Sequence, residues 1–461
     1  MKSNKLPAAT VWSAQRPYRS YVRVALVTGA LLGFSTGAGA LVVAALGVDR
    51  GSWWLTHLQA HGAAQLFGWA GMFTIGLAWH VLPRFRNVTP LFPWPQRAVL
   101  FLLATGTTVR FLAQTMPASP VAQASAFAGA MAIFVAVLCF VAFAGHTLAR
   151  GARVHDSVEV WLIAGLVWAV VAAGLHLAAM WQLPRNGIAV APFTLTGAFT
   201  QAALFGFLAS FTIAISQRAV VGLLGLRPTY RPLAWFAFVT LNAGTILSVA
   251  ARASGWGVEM LGFGSLLQAA GLIAAVVALR VLEPPAIRRP LPPATYARFG
   301  SVIRAAYAWL ALGGALLALE GAGRAFGFST FAFSGASVLH AIALGFITTL
   351  IMGMATRMVP MFEGSELPLQ RLMDVAIGLH LGGLILRIGF GLFRPAWSDA
   401  ALGVSGIMGL AGFALFTIPV WRAMRPSARR AYAERMAAMG AERLVEVRRP
   451  GRAAREATRG R

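Results

Sequence analysis

Twelve apolar runs follow one another between residues 22 and 423, broken only by short stretches rich in Pro, Gly and Arg. A helix crosses a bilayer in about 20 apolar residues, because each residue rises about 1.5 Å, and every run is long enough. Backbone polar groups find no partner in lipid, so runs of this kind have to be helices. Only 11% of the residues are charged and 58% are hydrophobic, against about 25% charged in soluble domains. The expected fold class is therefore an all-α membrane protein of about 12 transmembrane helices. Residues 1–21 form a basic cytoplasmic arm, 22–423 the transmembrane domain, and 424–461 a basic cytoplasmic tail that is disordered or lies on lipid.

The net charge of +25 suggests nucleic acid until its placement is read. Put the N-terminus in the cytoplasm, and all but seven of the 39 Lys and Arg fall on the inner side. The seven are Arg50, Arg110, Arg185, Arg252, Arg324, Arg387 and Arg394. Basic residues kept to the inner loops set membrane orientation, so the charge reports topology, with the lipid bilayer as partner and no nucleic acid. Residues 1–19 lack the apolar core of a cleavable signal. The single cysteine, Cys139, excludes disulfides and thiolate metal clusters built by this chain alone.

One pattern recurs. From His61 the chain reads H-G-A-A-Q-L-F-G-W, and from Phe199 F-T-Q-A-A-L-F-G-F, each followed by F-T-I, at Phe73–Ile75 and Phe211–Ile213. From His340 it reads H-A-I-A-L-G-F-I, with Phe346 again six positions on. The starting points lie 138 and then 141 residues apart, close to four helices with their loops. Repetition at a fixed period marks quasi-equivalent units, here about 22–148, 157–281 and 302–423, so three pseudo-equivalent four-helix arcs are expected.

This arrangement resembles subunit I of the haem–copper oxidases, and more closely the NnrS family of haem-bearing membrane proteins linked to nitric oxide. The residues that carry the likeness are His61 with Gln65-Leu66-Phe67-Gly68-Trp69, His80-x-x-Pro83-Arg84-Phe85, and His340-Ala341 followed by Ala355-Thr356-Arg357. The resemblance implies a multi-pass protein of the bacterial inner (cytoplasmic) membrane with both termini cytoplasmic. It implies bound haem b, and an oxidoreductase if the chain is an enzyme. It departs from the oxidases where they carry copper: Phe199 and Gln201 stand on the sixth span, and the seventh has no histidine.

His61 and His340 start their spans at similar depth near the outer surface, as two axial imidazoles of one haem would. Ala64, Gly68 and Gly71 on the His61 face would leave room for a flat ring. His57, one turn before His61, and His176 are further metal candidates, and the three together are a possible copper site. Arg110, Arg252, Arg324 and Arg387 are candidate partners for haem carboxylates. His80, His146 and His155 read as inner-surface residues, and His380 as a satisfied core residue. The function expected from these residues is nitric oxide metabolism or resistance, or respiratory electron transfer with an external electron donor. The alternatives are a cofactor-free transporter or channel with histidine proton relays, or an accessory subunit of a respiratory complex.

Overall fold

A computed structural model describes residues 16–49, 51–89, 93–151, 157–287, 295–327 and 335–448. His155 lies outside these residues, as do most of the N-terminal arm and the end of the tail. Twelve helices long and apolar enough to span a membrane fill the described residues. They are α1 (Tyr18–Ala45), α2 (Ser52–Arg86), α3 (Pro93–Thr115), α4 (Pro120–Ala149), α5 (Ser157–Asn186) and α6 (Phe193–Ser216). The second half comprises α7 (Arg231–Ser254), α8 (Val258–Leu279), α9 (Phe299–Phe326), α10 (Gly335–Glu363), α11 (Gln370–Phe393) and α12 (Ser398–Ala423). Within the basic tail, Pro426–Arg448 forms a further helix, α13, so this part is not disordered.

Burial sorts the twelve into two classes. α2, α6 and α10 are buried over 89%, 83% and 78% of their most apolar stretch, and the other nine over 33–56%. The three buried helices are those that carry the repeated pattern. α2 meets α6, and α6 meets α10, along their middles. α2 also meets α10, where the Trp69 indole N–H donates to the Thr348 hydroxyl at 3.4 Å.

Three outer helices bridge each inner pair: α3–α5 from α2 to α6, α7–α9 from α6 to α10, and α11, α12 and α1 from α10 back to α2. α12 packs on α1 and closes the ring. The first two outer helices of each set pack on glycine. A Cβ on Gly106 would meet the Gly129 carbonyl at 2.7 Å, one on Gly244 the Gly264 carbonyl at 2.6 Å, and one on Gly412 the Ala376 carbonyl at 2.8 Å. Without a hydrophobic drive between helices in lipid, such backbone approach supplies much of the attraction. The same device in α3–α4, α7–α8 and α11–α12 gives the fold its pseudo-threefold character.

The inner helices are not regular. π-helical turns occupy Ala64–Gly71 in α2, Ala202–Ala209 in α6 and Ala341–Thr348 in α10, within two positions of the same place in each repeat, and a fourth lies at Gly29–Phe34 in α1. A π turn takes i→i+5 hydrogen bonds and widens the backbone, so its carbonyls become available to other donors. Carbonyls from three of these turns accept from side chains: Gly68 from the Thr28 hydroxyl (2.6 Å), Gly33 from His61 (2.9 Å), and Leu344 from the Thr349 hydroxyl (3.0 Å).

Candidate functional site: a cavity between the first and last inner helices

Each inner pair and its three bridging helices enclose a space, and the three spaces differ. Between α6 and α10 it is filled. The Trp309 ring lies on Gly345, Ile342 lies on Gly313, and Tyr307 meets Phe346 edge to face at 5.2 Å. Gln268 donates to Gln201 at 2.9 Å. Between α10 and α2 the space is a cavity of about 400 Å³, within the usual range for a cofactor site.

His61 and His340 both line this cavity, one from α2 and one from α10. Each imidazole is held from behind. His61 Nδ1 is 2.9 Å from the Gly33 carbonyl, and His340 Nδ1 is 2.6 Å from the Ala336 carbonyl. A carbonyl only accepts, so each Nδ1 carries the proton and each Nε2 keeps its lone pair. Neither Nε2 has a hydrogen-bond partner among the described residues. The side of the His61 ring is fixed by α1, where a Cβ on Gly37 would come within 2.8 Å of Cε1.

The remaining wall is mostly apolar, with charge at one end. Arg387 of α11 lines the cavity, with Arg394 and Asp399 beside the α11–α12 turn. Sequence reasoning passed over Arg394 and Asp399 as site residues. Their position at the same helix end as Arg387 was the available signal. His380 also lines the cavity, with Nε2 3.0 Å from the Thr349 hydroxyl and 3.3 Å from the Leu344 carbonyl.

Other expected site residues stand elsewhere. His57 is not on the cavity wall. Its Nδ1 donates to the Trp53 carbonyl at 2.8 Å, and its ring meets the Trp53 indole edge to face. His176 is 1% exposed, with its ring 4.7 Å from Phe199 and 6.0 Å from Phe67. His57, His61 and His176 therefore do not converge, and no three His, Cys, Asp or Glu among the described residues are placed to share a metal ion. Arg324 donates to Glu320 at 2.7 Å, and Arg252 approaches Gly197; both lie away from the cavity. Arg110 is buried beside His176.

The small residues expected to make room, Ala64, Gly68 and Gly71, also face away; a Cβ on Gly68 would strike Thr107 at 2.9 Å. The π turn explains the difference. With more residues per turn, the His61 face continues through Gln65, Leu66, Trp69 and Ala70, and the α-helical positions rotate off it. Room comes instead from Gly37 and Ala38 of α1 and from Gly406 and Gly409 of α12. His80 is likewise no surface residue. It is 3% exposed between the Phe362 ring at 4.1 Å and the Tyr18 ring at 4.9 Å.

Residues 264–422 match a family model described as a domain of unknown function (DUF8744). None of the curated proteins matches the chain in sequence. Among solved structures, the chain superposes on one described as a heme–copper terminal oxidase dimer, with a TM-score of 0.66. The match covers 88% of this chain and 83% of that one at 12% identity. The shared property is the twelve-helix fold.

Proposed function

We propose that the chain is a haem b-binding membrane protein of the NnrS type, in which His61 and His340 would together hold one haem. The observation that carries this reading is the paired tautomer: two imidazoles on facing helices, each with Nδ1–H tied to a backbone carbonyl and Nε2 unused beside a common cavity. Metal-ligating histidines have their second nitrogen anchored in this way, which fixes the ring and raises its basicity. The donor set therefore fits haem iron. Haem, when bound there, supplies one-electron redox chemistry.

The rest is done by protein groups. Gly33 and Ala336 hold the proton on each Nδ1. The apolar wall of α1 and α12 would keep water from a group held in the cavity. The guanidinium of Arg387, with Arg394 at the mouth, offers fork-shaped donors to carboxylates at that end of the cavity. The reading places the protein in nitric oxide handling or respiratory electron transfer. α6 and α7 carry no histidine, so no copper is assigned there. The test is a pyridine haemochrome assay on protein expressed with a haem precursor and purified in detergent. One haem b per chain is expected, and protein without Soret absorbance overturns the reading.

A further inference from the structure

The third space, between α2 and α6, holds polar groups that have no partner among the described residues. Arg110 of α3 is 2% exposed, and its Nε and Nη1 are buried without a hydrogen bond. Among the described residues no Asp or Glu forms an ion pair with it. Beside it, His176 of α5 is 1% exposed with neither ring nitrogen bonded. The Thr107 hydroxyl, three residues before Arg110 and so on the same helix face, is also buried and unpaired. The roof over His176 is apolar, made by the stacked rings of Phe67 and Phe199 (5.6 Å).

A guanidinium does not lose its proton in proteins, and an isolated ion in a low-dielectric interior is among the costliest arrangements a fold can hold. Three unpaired donors and acceptors around it add to that cost. The charge has to be compensated by something the described residues do not supply. Arg387 stands at the matching place in the third repeat, near the end of the first bridging helix, and there it faces the open cavity. In the α2–α6 space Arg110 and His176 are closed off from the surface, at 2% and 1% exposed, so the compensating group is small.

We propose that Arg110 and His176 form a buried site for one small monovalent inorganic anion, a halide or an oxyanion such as nitrite or nitrate. The Arg110 Nε–H and Nη1–H donate to it, an N–H of His176 donates from the α5 side, and the Thr107 hydroxyl closes the shell. The site shares no residue with the α10–α2 cavity. It stands whether or not haem binds there.

The test uses the full chain purified in detergent, without added haem. Protein exchanged into gluconate buffer is titrated with sodium chloride, bromide, nitrite or nitrate at constant ionic strength. Thermal unfolding is followed, and bromide retained after desalting is counted per chain. The expected result is a saturable rise in melting temperature for at least one anion, with about one bromide retained. Arg110→Met is expected to lose the saturable rise and more than nine-tenths of the retained bromide, and to be no less stable than wild type in gluconate, because its buried charge is gone. Arg110→Lys, which keeps a charge, is expected to retain a weaker rise. Arg185→Met, at an exposed arginine near the end of α5, serves as the control and is expected to keep both signals. Flat titrations with no retained bromide would mean that water alone fills the space and would overturn the site. So would a rise that persists in Arg110→Met.

Discussion

His61 depends on a contact that belongs to another helix. Its ring lies so close to Gly37 that an added Cβ would sit 2.8 Å from Cε1. Gly37→Val is therefore expected to push the imidazole off its seat against the Gly33 carbonyl while leaving the helices formed. Haem titration followed at the Soret band should show affinity reduced by about tenfold or more, one misplaced ligand being worth at least ~1.4 kcal/mol. Unchanged affinity would mean that the seat does not orient the ligand. The role proposed for Arg387 is different and rests on charge. Arg387→Leu should leave the axial spectrum intact and weaken haem binding by about ten- to a hundredfold, the range expected for lost hydrogen bonds to a charged group. A spectrum that changes with Arg387 would place it at the iron and contradict its assignment to the cavity mouth.

At the scale of one helix, the π turns decide which residues meet. Thr28 donates to Gly68, a carbonyl of the α2 π turn, at 2.6 Å. Thr28→Val keeps the volume and removes the donor, so it should lower stability by about 1–2 kcal/mol, read as a fall in melting temperature. Thr105→Val is the comparison, because its hydroxyl only back-bonds within an exposed turn of α3; it should be near neutral. These turns also mark what the sequence kept hidden. Hydropathy placed all twelve helices, and the repeat at His61, Phe199 and His340 marked the three inner ones, since both signals are local. A π turn follows from partners on neighbouring helices, so an α-helical face drawn from His61 led to Ala64, Gly68 and Gly71. His80 was drawn to the membrane surface, and His176 to a metal site, by their positions near helix ends. They are buried because Tyr18, Phe362, Phe67 and Phe199 fold over them, and none of those rings is near in sequence. Arg387, which lines the cavity, was singled out because basic residues at that end of the bundle are few.

Across the whole molecule, the two ends of the bundle are held differently. One end opens into the cavity. At the other, Glu363 at the end of α10 gathers the chain termini: Arg16 at 2.7 Å, Arg19, the Tyr18 hydroxyl at 2.5 Å, and Arg429 of α13 at 3.8 Å. The Glu363 side chain is fully buried and the arginines are partly exposed. Glu363→Gln should therefore cost less than breaking a fully buried pair, about 1–3 kcal/mol. It should also make the start of α1 and α13 more accessible to protease, without altering a haem spectrum. A lost spectrum in this variant would mean that the two ends are coupled.

The joint role of His61 and His340 is tested most directly by the optical and electron paramagnetic resonance spectra of the haem-loaded protein and of His61→Ala and His340→Ala. Two imidazole ligands give low-spin iron. Wild type should be low-spin, each single variant should become high-spin or lose haem, and His80→Ala, at the opposite end, should keep the wild-type spectrum. A low-spin spectrum that survives either of the first two substitutions would contradict ligation by this pair.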